Sequence, residues 1–159
     1  MMYRIHIVAV GKVKESYLSA GIREYRKRLA PFARVEIAEV KDEGGASRKA
    51  DTAGILSLEG KRIRDKIAPG AHVIALHREG TVFSSEELSR YLAELAGRGH
   101  SRVVFLIGGS LGLEESLLRE SDLTLSFSAL TFPHQLFRLL LLEQLYRAFT
   151  LIKGHPYHK

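Results

Sequence analysis

The sequence predicts an α/β fold, a single domain in which one mostly parallel sheet is flanked by helices. Two observations carry this. Short runs rich in Ile and Val alternate with amphipathic stretches along the whole chain, which is the pattern of strands joined by helical crossovers. No internal repeat, low-complexity tract or linker interrupts that alternation, and 159 residues suit one core.

The segment YRIHIVAV (3–10) reads as the first strand. ESYLSAGIREYRKRLA (15–30) carries Leu18, Ile22, Tyr25 and Leu29 at helical spacing, with a basic outer face. ARVEIAEV (33–40) alternates apolar and polar positions, as an edge strand does. Residues 41–49, KDEGGASRK, have the composition of a mobile loop. The helix after it is expected to bury Ala53, Leu56, Gly60, Ile63 and Ile67, weakened by its two glycines. HVIALH (72–77) reads as a buried strand. The next helix opens on Ser84 and Glu87 in capping-box spacing and turns Leu88, Tyr91, Leu92 and Leu95 inward. RVVFLIGGSLG is a strand running into glycines, LEESLLRES a short helix, and LTLSFS (123–128) a fifth strand. The last helix follows Pro133, a residue suited to a first turn.

The chain carries 24 Lys+Arg against 18 Asp+Glu, a net charge of +6 that favours a polyanionic partner. Lys12, Lys14, Arg23, Arg26, Lys27 and Arg28 are candidate phosphate contacts, weighed against the plain reading of a solvated helix face, and Arg23, Arg26 and Lys27 are the RNA contacts expected along that helix. With no cysteine, disulfides, Cys-ligated zinc and thiol nucleophiles are excluded. The seven histidines show no ligand spacing on any one element, so no metal is expected. His6 and His72 read as packed or hydrogen-bonded strand residues. The first residues lack a secretory core, and no apolar run approaches the roughly 20 residues that span a bilayer. A cytoplasmic protein without a membrane partner is expected.

In parallel sheets ligands bind beyond the carboxyl ends of the strands. Three such ends stand out: ALHREG, LIGGSLGLEE and SFSALTF. The GGSLG turn lets a backbone approach a ligand closely, but neither dinucleotide nor P-loop spacing is present, and a plain tight turn is favoured on spacing alone. A nucleotide-dependent enzyme reading this turn as a phosphate loop is therefore a rival. Between Gln135 and Ile152 apolar residues occupy most of the helix circumference, leaving a strip that includes Glu143, Arg147 and Thr150. A surface helix needs only a stripe of roughly 100°. A homodimer through this helix is expected to cover the excess.

FLIGGSLGL followed by LTFPHQLFRLLLLEQLYRAFTLIKGHPYHK closely resembles the RlmH family of ribosomal RNA large subunit methyltransferases, and the resemblance extends from IHIVAVGKVKE through LHREGTVFSSEELS to PYHK. Departures fall at Ser110 and Leu111, where related sequences carry a proline or an aromatic, and at Phe127 and Ala129. The resemblance implies a SPOUT-type fold with a C-terminal trefoil knot, a homodimer, S-adenosyl-L-methionine as cofactor, and methylation of N3 of a pseudouridine in 23S ribosomal RNA on the assembled ribosome. Carried onto matching positions, it implies a cofactor site of Leu76, Gly108, Phe127, Ser128, Ala129, Leu130, Thr131 and Phe132. Thr131 is equally read as a cap of the last helix. His155, Tyr157 and His158 are candidates for the catalytic region, as are His134 and Arg138; no general base is identified. Arg138, His155, Tyr157 and His158 are also candidate RNA contacts, since aromatic and His rings stack on unpaired bases. The alternative function is a non-catalytic RNA-binding module or ribosome assembly factor.

Overall fold

A computed structural model describes residues 2–43 and 51–159. Most of the loop expected at 41–49 lies outside the described residues. The chain runs β1 (Tyr3–Val10), α1 (Ser16–Leu29), β2 (Ala33–Val40), α2 (Thr52–Arg64), β3 (His72–Val82), α3 (Ser85–Gly97), β4 (Arg102–Ile107), α4 (Glu115–Glu120), β5 (Leu123–Ser126) and α5 (His134–Ile152). The five strands form one sheet in the order β2-β1-β4-β3-β5, every neighbouring pair parallel.

Strand side chains alternate between faces. Ile5, Ile7, Val103 and Phe105 join a core with α1, α3 and α5, while Val8, Val10, Val104 and Leu106 join a second with Ile63 of α2 and Leu117 of α4. The division follows from crossover handedness. Connections running toward the β2 edge carry α1 and α3, and those running toward the β5 edge carry α2 and α4. One hand of crossover places these two sets on opposite faces.

Local chemistry fixes the element ends. Ser84 and Glu87 form the expected capping box, Glu87 N donating to Ser84 Oγ at 3.1 Å and Ser84 N to Glu87 Oε2 at 2.6 Å. His72 is held within the fold as expected, its Nε2 2.6 Å from the Tyr91 hydroxyl.

Several expectations are corrected. β3 continues to Val82 rather than stopping at His77, because β5 pairs with it on both sides of a break: Leu125 faces Leu76 and Thr81. The intervening residues leave the ladder as a bulge. β5 ends at Ser126, two residues early. The buried stripe of α2 is Ile55, Glu59, Gly60 and Ile63, with Ala53 exposed. Pro133 is itself the N-cap of α5, and no side chain caps the helix, which removes the capping role considered for Thr131. Thr150 is buried, its hydroxyl donating to Arg147 O at 2.7 Å, so it does not belong to an outward polar strip.

No residue of α5 is exposed in the single chain, because α1 and α3 flank the helix. Much of the apolar excess seen in sequence is thus covered internally. Gly21 allows close approach of α1: a Cβ there would stand 2.9 Å from Leu139 Cδ2. Phe149 packs against Tyr3 and Phe32. Leu136, Leu140 and Leu151 remain half-exposed, outside the core clusters, and with Glu143 and Arg147 they form one stripe at helical spacing.

Candidate active site

The carboxyl ends of β3, β4 and β5 open into one cleft of about 750 Å³, lined by Leu76, His77 and Arg78, by residues 107–112, and by Phe127, Ser128, Leu130–His134 and Phe137. Its position is the one a parallel sheet reserves for ligands, and its size suits a small-molecule cofactor. The structure brings together seven of the eight residues expected there: Leu76, Gly108, Phe127, Ser128, Leu130, Thr131 and Phe132. Ala129 lies in the same loop but faces solvent off the cleft wall.

The loop between β5 and α5 is pinned by its own polar groups. Ser126, fully buried, donates from Oγ to Arg78 O at 2.8 Å and to Ser128 O at 3.2 Å, and Leu130 N donates to Ser128 Oγ at 3.0 Å. Arg78 Nη1 reaches Thr131 Oγ1 at 3.5 Å, tying the β3 bulge to this loop. Phe127 and Phe132 flank Phe137, with centroid distances of 4.9 and 6.3 Å, and make the apolar floor. Leu130 is left 71% exposed and Leu111 40% exposed at the rim, apolar surface that a bound planar group would cover.

On the opposite wall Gly108 and Gly112 meet so closely that a Cβ on Gly108 would collide with the Gly112 backbone, and Gly112 itself has φ +81°. Only glycine fits this turn without distortion. His134, at the start of α5, lines the cleft beside Gly11, whose hypothetical Cβ would lie 3.6 Å from its Nε2. Burial lowers the proton affinity of His134, Asp42 and Glu15 oppose that effect, and Arg138 adds to it. His77, Ser110 and Leu111 lie within the ALHREG and LIGGSLGLEE ends picked out in sequence, though not assigned to the cofactor; Phe137 was not singled out, and its place one turn into α5 is the signal that identifies it.

Arg138, expected to meet RNA, is 2% exposed. Its Nη1 pairs with Glu39 Oε2 at 2.5 Å and its Nη2 donates to Gly11 O at 3.3 Å, so it anchors α5 to the ends of β1 and β2 instead. Arg23, Arg26 and Lys27 are exposed along α1, and Arg26 donates to Val35 O at 3.0 Å.

The tail candidates lie elsewhere. The His155 ring packs edge-on against Phe32, and Tyr157 against Tyr146, with the Arg147 guanidinium 4.8 Å from the Tyr157 centroid. His158 sits between Arg147 Nη1 at 3.1 Å and Glu86 Oε1 at 2.6 Å. None of the three lines the cleft. Among the described residues no group of three or more His, Cys, Asp or Glu side chains is placed to hold a metal ion, and no helix is long and apolar enough to cross a membrane.

The family described as "Predicted SPOUT methyltransferase" matches residues 3–158. A ribosomal RNA large subunit methyltransferase H from Carboxydothermus hydrogenoformans is 50% identical over 98% of this chain and 99% of its own length. One from Moorella thermoacetica is 52% identical over 99% of this chain and its full length. Two solved structures share the fold at low identity. A probable methyltransferase from Bordetella pertussis Tohama I has a TM-score of 0.58 at 11% identity, covering 92% of this chain and 96% of its own. A probable methylase family protein from Haemophilus influenzae Rd KW20 has a TM-score of 0.56 at 13% identity, covering 98% and 70%. The full-length match at half identity and the cleft at the carboxyl ends of β3, β4 and β5 agree: the chain belongs to the ribosomal RNA large subunit methyltransferase H family of SPOUT methyltransferases.

Proposed function

We propose that this protein transfers the methyl group of S-adenosyl-L-methionine to N3 of a pseudouridine in 23S ribosomal RNA, acting in the cytoplasm on the assembled ribosome. The observation that carries the reading is the cleft itself: it gathers seven residues expected to hold this cofactor and few charged groups. The residues fit the molecule. Leu76 and Leu130 offer apolar faces for a purine, the 128–132 backbone offers edge hydrogen bonds, and the Gly108–Gly112 turn admits close approach. When bound, the cofactor supplies an electrophilic methyl carbon on a sulfonium. The knotted connection implied by the resemblance belongs to this reading, supported by the β3 bulge and the 126–131 loop that it grips through Ser126 and Arg78.

The chain's main task is alignment, because an in-line displacement is fast only when acceptor and methyl carbon are held in near-attack geometry. N3 of a pseudouridine also carries a proton that must leave, so a polar group is required at the cleft mouth. His155, Tyr157 and His158 are the groups we assign there, but from a second copy of the chain. α5 starts at the cleft and ends about 27 Å away at 1.5 Å per residue. The tail beyond it is tied to Phe32, Tyr146, Arg147 and Glu86, none of which lines the cleft. A homodimer packed antiparallel across the Leu136, Leu140 and Leu151 stripe brings each tail to its partner's cleft. Arg23, Arg26 and Lys27 then extend the cationic surface for RNA.

Titration calorimetry with S-adenosyl-L-methionine and S-adenosylhomocysteine, with mass spectrometry of ribosomal RNA from a deletion strain, tests the reading. Binding of both ligands and a missing methyl group on one 23S pseudouridine are expected. Ribosome binding with no cofactor affinity would favour an assembly factor, and affinity for NAD or ATP a nucleotide-dependent enzyme.

A further inference from the structure

The connection from β1 reaches the cleft at Gly11, beside His134, and the first turn of α1 follows it at the same end of the sheet. Tyr17 is 70% exposed, the most open aromatic side chain among the described residues. Lys12 and Lys14, in the connection leading from β1 to that turn, are exposed, and neither has an ion-pair or hydrogen-bond partner among the described residues. The segment adjoins the cleft through Gly11, whose carbonyl holds Arg138 and whose α-carbon side faces His134. Glu15, the one acid in the segment, acts electrostatically on His134.

We infer that Lys12, Lys14 and Tyr17 form a subsite for an unpaired nucleotide flanking the modified base, Tyr17 stacking on the base and the two ammonium groups on neighbouring phosphates. The inference rests on the proposed function, since it names which part of that RNA substrate the edge of the cleft takes. An open aromatic ring beside uncompensated cations is the composition of single-strand binding surfaces, where every base offers a π face and the backbone supplies charge. Base-paired RNA offers no free face to the ring, so the geometry selects a loop or bulge. Arg26 and Lys27 sit about 15 Å further along α1 at 1.5 Å per residue, and serve a different stretch of RNA. A protein partner is the weaker occupant, because it would have to desolvate two ammonium groups that form no ion pair among the described residues.

The test measures binding of the full-length protein to purified ribosomes without cofactor, at several salt concentrations, alongside methylation rates and S-adenosyl-L-methionine affinity. Tyr17→Ala is expected to weaken ribosome binding roughly tenfold, with Tyr17→Phe close to wild type. Lys12→Gln with Lys14→Gln is expected to reduce the slope of log affinity against log salt by about 1.4, two phosphates at about 0.7 each. All three residues are solvent-exposed, so cofactor affinity and dimer mass are expected to stay unchanged, while methylation at subsaturating ribosomes falls with the ribosome affinity. Unchanged ribosome affinity and salt slope would overturn the assignment. So would a weakened dimer in Tyr17→Ala, which would give the surface to a second copy, or weakened cofactor binding, which would give it to the cofactor. Binding that responds as expected in a protein that never methylates would leave the subsite standing and remove the enzymatic reading.

Discussion

Gly108 and Gly112 touch where two stretches of the same turn must pass to leave the cleft open, and a methyl group at 108 can be accommodated only by moving the 112 backbone. Gly108→Ala is therefore expected to lower S-adenosyl-L-methionine affinity at least tenfold in calorimetry and, because the clash is with backbone, to cost about 1–3 kcal/mol in unfolding. Arg138 is the opposite case, a residue whose worth is structural. Removing it leaves Gly11 O without its donor, Glu39 without its cation and a void under α5. Arg138→Ala is expected to cost about 2–3 kcal/mol in denaturant unfolding, less than the roughly 3–5 kcal/mol of a fully buried pair because Glu39 is partly solvated. Glu59 supplies a pH signature. It is 2% exposed and accepts from Glu43 N at 3.0 Å, and burial, with Asp42 adding, raises its pKa while that hydrogen bond and Arg62 oppose. A raised folded pKa means that its favourable contribution is complete below the ordinary carboxylate value and is lost as pH rises through the raised one. Glu59→Gln keeps an acceptor but cannot ionise. Unfolding free energies compared at pH 8 and pH 4 should show it more stable than wild type by up to about 1 kcal/mol at the higher pH and equal at the lower.

At the scale of elements, α5 is the organiser: it begins at the cleft, closes the core with α1 and α3, and ends at the tail. Its contact with α1 depends on the missing side chain at Gly21. Gly21→Ala trades helix propensity of about 1 kcal/mol against a shift of the mobile Leu139 end and should be near neutral. Gly21→Leu, which has no such room, should lower the melting temperature through loss of about 1–3 kcal/mol. The existence and order of all ten elements were legible in sequence, because periods of two and 3.6 are properties of each segment alone. What was not legible depends on neighbours. The β3 bulge exists because Leu125 answers both Leu76 and Thr81, a pairing that β3 does not encode by itself. The stripe of α2 is rotated from the apolar reading because Glu59 finds a backbone donor inside the fold. The burial of Arg138 depends on Glu39 and Gly11, far away in sequence. The three loops of the cleft were legible because ligand sites follow strand ends, although the ends of β3 and β5 were misplaced by a few residues; the residues expected to hold the cofactor came from the family resemblance.

At the scale of the molecule, the cleft and the tail are separated by the length of α5, and a half-exposed leucine stripe runs between them. In the proposed homodimer a second copy would cover the stripe and join the two sites, so that the polar residues of one chain serve the cofactor of the other. Light scattering at micromolar concentration should give dimeric mass, and Leu140→Glu together with Leu151→Glu should shift it toward the monomer. Mixing two chains, each disabled in a different part of the site, tests whether the site is shared. Gly108→Ala, assayed at S-adenosyl-L-methionine well below the dissociation constant of the variant, silences the cleft and spares the tail, while Tyr157→Ala with His158→Ala does the reverse. Unfolded together and refolded, they should recover about a quarter of wild-type methylation, since half the dimers are mixed and each mixed dimer holds one intact site. No recovery, with mixed dimers present by native mass spectrometry, would contradict the shared site.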